Sequence, residues 1–348
     1  MAVLKGSIIL TGSNGGLGSA IVSSILKSAH APQYRGLYTV RNPSTASSLQ
    51  SVLRNGSASH KSELLPLDLS SLASVRALAQ DINTRIANGT LEPIRAVILN
   101  AGWQETHAGV LKPQTFTNDG LEANFQVNYL SNFLLVLLLL QSMDKKFGRI
   151  IIISSTMHDS YNPQGEALKM YREEDKEMFK GIDGLAQGIS YTDDGSKAGV
   201  RRYGASKLLM VMFMYSLQRR LSSDPVLSKI SVLALDPGGM AGTGMGSSGP
   251  LLIRIITGPL GIVIQEILNL FMANPPMRPT RRSAADIIFA AFDAKVFGSH
   301  LDWVYLDGNA KAESSVESKD EDKQEEAWKG SLRITNVKEG DTILTRWQ

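Results

Sequence analysis

The chain has 348 residues, 43% hydrophobic and 20% charged, with a formal net charge of +3 and no cysteine. That length suits one large α/β domain with insertions or two small domains, and the near balance of charge, without a basic block interleaved with aromatics, argues against a nucleic-acid partner. Disulfides, thiolate catalysis and cysteine-ligated metals are excluded, which fits a reducing, cytoplasmic setting.

Met1 to Leu10 runs straight into a strand, without the charged region, apolar core and cleavage site of a secretory signal. Ser7 to Leu10 reads as a buried strand, followed by a glycine-rich turn, Thr11 to Gly18, and a helix from about Leu17 to Ser28. Further strands are predicted at Gly36–Val40, Leu64–Asp68, Arg95–Asn100, Arg149–Ser154 and Ile230–Leu235. Helices are predicted at Ser74–Asn83, Leu121–Met143 and Tyr203–Leu221. Continuous β-branched runs alternating with helices imply a doubly wound parallel sheet, Rossmann-like, with helices on both faces. The run Phe133 to Leu140 is apolar on every side, the pattern of a helix buried all round.

Three stretches depart from this rhythm. Residues 156–202 are polar and charged, with a short helical stretch near Glu166 to Phe179. They read either as a solvated insertion or as a flap over a substrate. Residues 239–280 read as a substrate-covering segment. Within it Gly249 to Met272 is strongly apolar but broken by Arg254, Gly258-Pro259, Gln265 and Glu266. That is too interrupted to span a membrane. It suggests two short amphipathic helices lining a greasy pocket, with membrane-surface contact as the lesser alternative. Residues 311–348, rich in Glu, Lys, Ser and Asp to Trp328, read as a solvated polar extension beyond a domain of residues 1–310, its end loosely held.

The glycine turn follows a strand and opens a helix, the context in which such a turn cradles a pyrophosphate. Gly12, Gly16 and Gly18 remove side chains where backbone must approach the phosphates; Ser13, Asn14 and Leu17 complete the turn. A carboxylate at the end of the second strand would bind the ribose hydroxyls of NAD. Here Val40 is followed by Arg41, which suits a 2′-phosphate, so the reading favours NADP(H) over NAD(H). Asp68 and Leu69 end the third strand beside the adenine, where Asp68 has helix capping as its alternative. Asn100, Ala101 and Gly102 let backbone run beside the cofactor.

Tyr203 and Lys207 stand four residues apart, on one helix face. A free phenol titrates too high to exchange a proton easily at neutral pH, and a nearby ammonium favours the phenolate. The pair is what hydride exchange with a carbonyl requires.

With these residues the chain resembles the short-chain dehydrogenase/reductase family over roughly Lys5 to Val304. The resemblance is carried by Thr11 to Gly18, Asn100 to Gly102, Phe125-Gln126-Val127-Asn128, Ser154-Ser155, Tyr203 to Lys207 and Pro237-Gly238. The spacing of Ser155 and Tyr203 is longer than is common in the family. Thr243 stands one residue later than the threonine that usually follows Pro-Gly. The long insertion and C-terminal extension are similar to those of sterol-ketone reductase-like, retinol dehydrogenase-like and fungal secondary-metabolism members.

The resemblance implies a catalytic set of Asn128, Ser155, Tyr203 and Lys207, with Ser155 preferred over Ser154 as the donor to the reacting oxygen. It further implies that Lys207 holds the nicotinamide ribose, that Asn128 positions a water, and that Pro237, Gly238 and Thr243 flank the nicotinamide. Met240, Met245, Leu251, Leu252, Ile255, Ile256, Leu260, Ile262 and Met272 would line a site for a bulky lipophilic substrate; ordinary core or an oligomer interface is the plainer account. The expected activity is interconversion of a secondary alcohol and a ketone. A dinucleotide sensor or scaffold, an epimerase and a double-bond reductase are the alternatives. No metal is expected, and a homo-oligomer is.

Overall fold

The computed structural model describes residues 3–104, 114–167, 169–191, 195–241, 258–293 and 303–348. In chain order the elements are β1 (Gly6–Leu10), α1 (Gly16–Lys27), β2 (Tyr34–Val40), α2 (Ser47–Arg54), β3 (Ser62–Pro66), α3 (Leu72–Ala87) and β4 (Ile94–Leu99). A π-helical turn (Phe125–Leu130) then leads into α4 (Ser131–Leu139), and β5 (Arg149–Ile153) follows. Next come α5 (Pro163–Ala167), α6 (Ile182–Ala186), α7 (Gly195–Ser222), β6 (Ser231–Asp236), α8 (Pro259–Phe271) and α9 (Thr280–Ile288). The chain closes with β7 (Val304–Asp307), β8 (Ala310–Lys311) and α10 (Glu321–Thr335).

The strands form one sheet in the order β3-β2-β1-β4-β5-β6-β7-β8. All neighbours are parallel except β7 and β8. Alternate residues feed two cores, as strand geometry requires. Ile8, Leu10, Ile151 and Ile153 pack under α1, α2 and α9. Ile9, Ile150 and Ile152 pack under α3, α4, α7 and α10. The predicted Rossmann-like α/β architecture is therefore the one observed. The sequence reading did not include α2, β7 or β8. It also placed the start of α7 at Tyr203, whereas the helix begins at Gly195.

The apolar stretch Phe125–Ser142 is long enough to cross a membrane, but 89% of it is buried inside the fold. Its girth is covered within one chain: Phe133 meets Trp328 of α10 edge to face, with ring centroids 5.1 Å apart. The apolarity of α4 therefore needs no second copy to cover it.

The insertion is not the solvated loop that its composition allowed. Tyr171, Met178, Phe179, Ile182, Leu185 and Tyr191 are all buried. The predicted helix near Glu166–Phe179 is replaced by the short α5 and α6, with a single 3₁₀ turn at Glu173–Asp175 between them. There Asp175 accepts from Arg172 Nε at 2.7 Å and pairs with Arg201 of α7 at 3.0 Å. A charged run here stitches loop to helix instead of forming a solvated helical face.

The polar extension is likewise not loose. Gln324, Ala327, Trp328, Ser331, Leu332 and Thr335 of α10 are buried, a stripe at helical spacing beneath a charged outer face. Trp328 Nε1 donates to the Trp347 carbonyl at 2.7 Å, and Thr345 Oγ1 donates to Asp224 at 2.9 Å, so the last residues are fastened as well. By contrast α8 turns its apolar side chains outward. Leu260, Ile262, Val263, Ile267, Leu270 and Phe271 are exposed, and Met272 beyond it too. Its buried residues are Gly261 and Gln265, the latter accepting from Ala241 N–H at 3.0 Å. Met245, Leu251, Leu252, Ile255 and Ile256 lie outside the described residues.

Trp328 should therefore act as a core residue. Trp328→Ala removes a side chain that is 1% exposed and that packs on Phe133, Phe213 and Arg220. We expect a loss of about 3–5 kcal/mol in unfolding free energy, read by urea titration. A loss under about 1 kcal/mol would mean that the extension is not part of the folding unit.

Candidate active site

The C-terminal ends of β1, β4, β5 and β6 open onto one cleft of about 1880 Å³. It lies where the strand order reverses between β1 and β4, the crevice in which open α/β sheets take ligands. The glycine turn forms its floor. Gly12 has φ +67°, and a Cβ there would lie 2.8 Å from Ala101 Cα; a Cβ on Gly18 would lie 2.2 Å from the Gly12 carbonyl oxygen. No side chain caps α1, so the first N–H groups of the helix are left for a ligand. These residues fit a dinucleotide pyrophosphate.

Gly12, Asn14, Gly16, Leu17, Gly18, Arg41, Asp68, Leu69, Asn100, Ala101 and Gly102 all line the cleft. Ser13 does not: it is buried, and its hydroxyl donates to the Leu10 carbonyl at 2.9 Å. Asn14 uses its side-chain oxygen to accept from Leu49 N–H at 3.0 Å, tying the turn to α2. Asp68 accepts from Ser70 N–H at 2.9 Å and from the Ser70 hydroxyl at 2.7 Å, so it caps locally while facing the cleft. Asn100 Nδ2 donates to Thr11 O and Gly12 O at 2.9 and 3.2 Å, locking β4 to the turn. Val40, Asn42 and Thr45 flank Arg41 at one end. Thr243 lies outside the described residues.

At the opposite end Ser155, Tyr203, Lys207, Pro237 and Gly238 come together. Ser155 and Tyr203 are neighbours in this lining, the serine hydroxyl near enough to favour ionisation of the phenol, while Ser155 Oγ accepts from Met157 N–H at 3.3 Å. Ser154 instead sits against the Tyr305 hydroxyl. The long separation of Ser155 and Tyr203 is absorbed by the insertion, which loops out and returns. Lys207 is buried and its Nζ donates to the Ile153 carbonyl at 2.9 Å, while standing 5.5 Å from the Tyr203 ring centroid. Burial lowers the Lys207 pKa to about 8, against the pull of Asp236. For Tyr203 the direction is opposite to the sequence expectation. Burial, then Asp236, push the phenol up, and the neighbouring Ser155 hydroxyl draws it part of the way back.

Asn128 lies behind this group on the π-helical turn. Its Nδ2 donates to the Trp103 carbonyl and to Ser206 Oγ, both at 2.9 Å, and its Oδ1 accepts from Trp103 N–H at 2.7 Å. Both amide protons are thus spent on protein atoms. The side chain pins the strand-end loop to α7.

Two residues that the sequence reading missed shape the same end. Asp236 is buried in the cleft wall and accepts from Gly238 N–H at 2.8 Å. Burial pushes its carboxyl up. Arg278 is 1% exposed; it donates to the Pro275 carbonyl at 2.9 Å and the Asp236 carbonyl at 3.2 Å, and pairs with Asp307. The signal for Asp236 was available: a lone acid between an apolar strand and Pro-Gly. Arg278 gave none, because Asp236 and Asp307 stand 42 and 29 residues away. Among the described residues no group of three or more His, Asp or Glu side chains is arranged to hold a metal ion.

Residues 7–167 match the family model described as short chain dehydrogenase. The short-chain dehydrogenase iccH of Talaromyces variabilis is 41% identical, covering 99% of both chains. The polyprenol dehydrogenase of Danio rerio is 30% identical over 80% of this chain and 72% of that protein. Among solved structures, NADPH-bound carbonyl reductase from chicken fatty liver superposes with a TM-score of 0.56 at 18% identity, covering 90% of this chain and all of that one. The angucycline C-6 ketoreductase LanV with bound NADP gives a TM-score of 0.56 at 17% identity, covering 88% and 96%.

The charge of Asp236 should be measurable at Tyr203. Asp236→Asn keeps an acceptor oxygen for Gly238 N–H but removes a negative charge that opposes the phenolate. Tyr203 should therefore ionise at lower pH in the variant, followed by NMR of ring-labelled tyrosine. An unchanged or higher titration would show that the carboxylate does not act on the phenol.

Proposed function

The chain belongs to the short-chain dehydrogenase/reductase family, and we propose on that premise that it interconverts a secondary alcohol and a ketone on a bulky lipophilic substrate with NADP(H). The carrying observation is the seating of the Ser155 hydroxyl, the Tyr203 phenol and the Lys207 ammonium at one end of a cleft whose floor is the glycine turn. A bound nicotinamide supplies or accepts the hydride. Tyr203 gives a proton to the substrate oxygen in reduction and takes one in oxidation. Ser155 donates a hydrogen bond to that oxygen as charge develops. Lys207, held by the Ile153 carbonyl, keeps a positive charge within reach of the phenol.

Support for NADP(H) comes from the second strand. Arg41 follows Val40 at the cleft edge, with Asn42 and Thr45 beside it, so a guanidinium and polar groups stand where a 2′-phosphate would rest. Support for a lipophilic substrate comes from the other end, where Trp103, Phe116, Met157, Met170, Val200 and Met240 line the cleft. Met157, Met170 and Val200 all come from the insertion, which thus serves as the flap. A relative named polyprenol dehydrogenase is consistent with a lipophilic alcohol at that end of the cleft. Polyketide, terpenoid and sterol frameworks present a ketone or secondary alcohol on a large apolar body, the functional group proposed here.

Two substitutions test the reading. Tyr203→Phe should lower turnover of a bulky ketone by roughly 10³-fold while NADPH affinity, measured by nicotinamide fluorescence, stays within about twofold. Retained turnover would remove Tyr203 from the chemistry, and no turnover by the unsubstituted enzyme across sterol, terpenoid and polyketide ketones would favour the sensor alternative. Arg41→Ala should weaken NADPH binding by roughly tenfold and leave NADH binding nearly unchanged. An equal effect on both cofactors would refute the phosphate contact.

A further inference from the structure

One buried histidine and one carboxylate, neither used above, join separate segments beside the site. His158 closes the 3₁₀ turn after Ser155 and is 3% exposed. Its Nδ1 donates to the Ser155 carbonyl at 2.7 Å, which leaves Nε2 as an acceptor, and Nε2 takes the Ser315 N–H at 3.0 Å. The Tyr305 ring packs against it, with centroids 4.9 Å apart. Both ring nitrogens are therefore committed in one neutral tautomer. Burial pushes its pKa down, in the same sense.

Two residues past Ser315, Glu317 reaches the insertion. Its carboxylate accepts from Met178 N–H at 2.9 Å and from Phe179 N–H at 3.0 Å, and pairs with Lys323 at 2.9 Å. Ser314 Oγ lies 2.8 Å from the Tyr215 hydroxyl of α7. Residues 314–317 thus bond to the loop after β5, to the insertion and to the helix that carries Tyr203.

The insertion passes this restraint to the cleft. The Tyr191 hydroxyl donates to the Met178 carbonyl at 2.7 Å, and the Tyr171 hydroxyl donates to the Met157 carbonyl at 3.2 Å. A Cβ on Gly204 would lie 2.4 Å from the Tyr171 hydroxyl and 2.7 Å from the Met157 carbonyl oxygen, so insertion and α7 are in direct contact next to Tyr203. Met157 and Met170 are the cleft-lining ends of this network.

We infer that His158 and Glu317 are positioning residues, through which the C-terminal extension straps down the Ser155 main chain and the insertion wall of the substrate site. The strap sets how the apolar substrate fits without touching it. The kinetic half of this inference rests on the function proposed above; the structural half does not.

The test uses the full chain loaded with NADPH, comparing Glu317→Ala, Glu317→Gln, His158→Ala and His158→Gln. Hydrogen exchange is followed in the insertion and, as a control, in β1 and β4. Glu317→Ala should speed exchange around Met178 and Phe179 by about tenfold or more, with β1 and β4 unchanged. It should raise KM for a bulky ketone more than it lowers kcat, and leave NADPH affinity within about twofold. Glu317→Gln, which keeps an acceptor oxygen, should recover part of both effects. His158→Ala should lower kcat by about tenfold with a smaller change in KM, and His158→Gln should restore part of it.

If an alanine variant fails to fold, the glutamine variant gives the same readouts at reduced size. Unchanged insertion exchange in the Glu317 variants, or exchange raised equally in β1 and β4, would overturn the strap. Unchanged kcat in the His158 variants would remove His158 from it. If the parent enzyme reduces no ketone, the functional reading fails while the exchange arm still decides whether the strap exists.

Discussion

A single ammonium-to-carbonyl contact, Lys207 Nζ to Ile153 O at 2.9 Å, fixes where the long helix α7 meets the end of the sheet. Burying a lysine is costly unless its charge is satisfied, and here the last carbonyl of β5 and the carboxylate of Asp236 supply the compensation. The remaining cost shows as a pKa lowered to about 8. Once α7 is seated, other contacts follow from helical spacing. Tyr203, one turn earlier, comes beside Ser155 in the cleft lining. Ser206 accepts from Asn128, which in turn grips both main-chain groups of Trp103. The walls of the cleft are therefore linked through one helix.

The insertion and the C-terminal extension form one layer on the outer side of that helix. Each was long, polar and unreadable alone. Together they bury Tyr171, Met178, Ile182, Trp328 and Leu332 in the same core as α4 and α7. Their polar residues are spent on each other, as when Arg333 pairs with Asp183 and Lys323 with Glu177. Such surface pairs contribute little singly. The stability of the layer comes from the apolar stripe beneath them, and the charges keep its outer face in water.

This explains which parts of the molecule could be read in advance. Strands β1, β4, β5 and β6 are short apolar runs whose burial on both faces leaves a plain trace in sequence. The glycine turn and the Tyr203–Lys207 spacing are local patterns, so they too were legible. What escaped depends on contacts across more than a hundred residues. Glu317 reads as one acid in a charged run until Met178 and Phe179 are seen 139 and 138 residues away. His158 reads as an isolated histidine until Ser315 arrives 157 residues later. The contacts of the Asn128 side chain with Trp103 and Ser206 were not legible either, because no spacing rule gives the positions of those partners. The exposure of Ile262, Val263 and Phe271 on α8 was also invisible, because apolar content alone does not say which face of a helix the core covers.

The electrostatics around Tyr203 bear on how the site works. A phenol in a buried setting resists ionisation, and the Asp236 carboxylate at the end of β6 adds to that resistance. In this arrangement burial and Asp236 favour the protonated phenol, and the neighbouring Ser155 hydroxyl opposes them. A group held protonated is suited to give its proton to an oxygen on which charge is growing, the event that accompanies hydride arrival at a ketone. To act as a base, the same phenol needs additional positive charge beside it, and Lys207, with its lowered pKa, supplies less of that as pH rises above about 8. On the proposed function, Asp236 and Lys207 would then bias the direction of proton transfer in opposite senses.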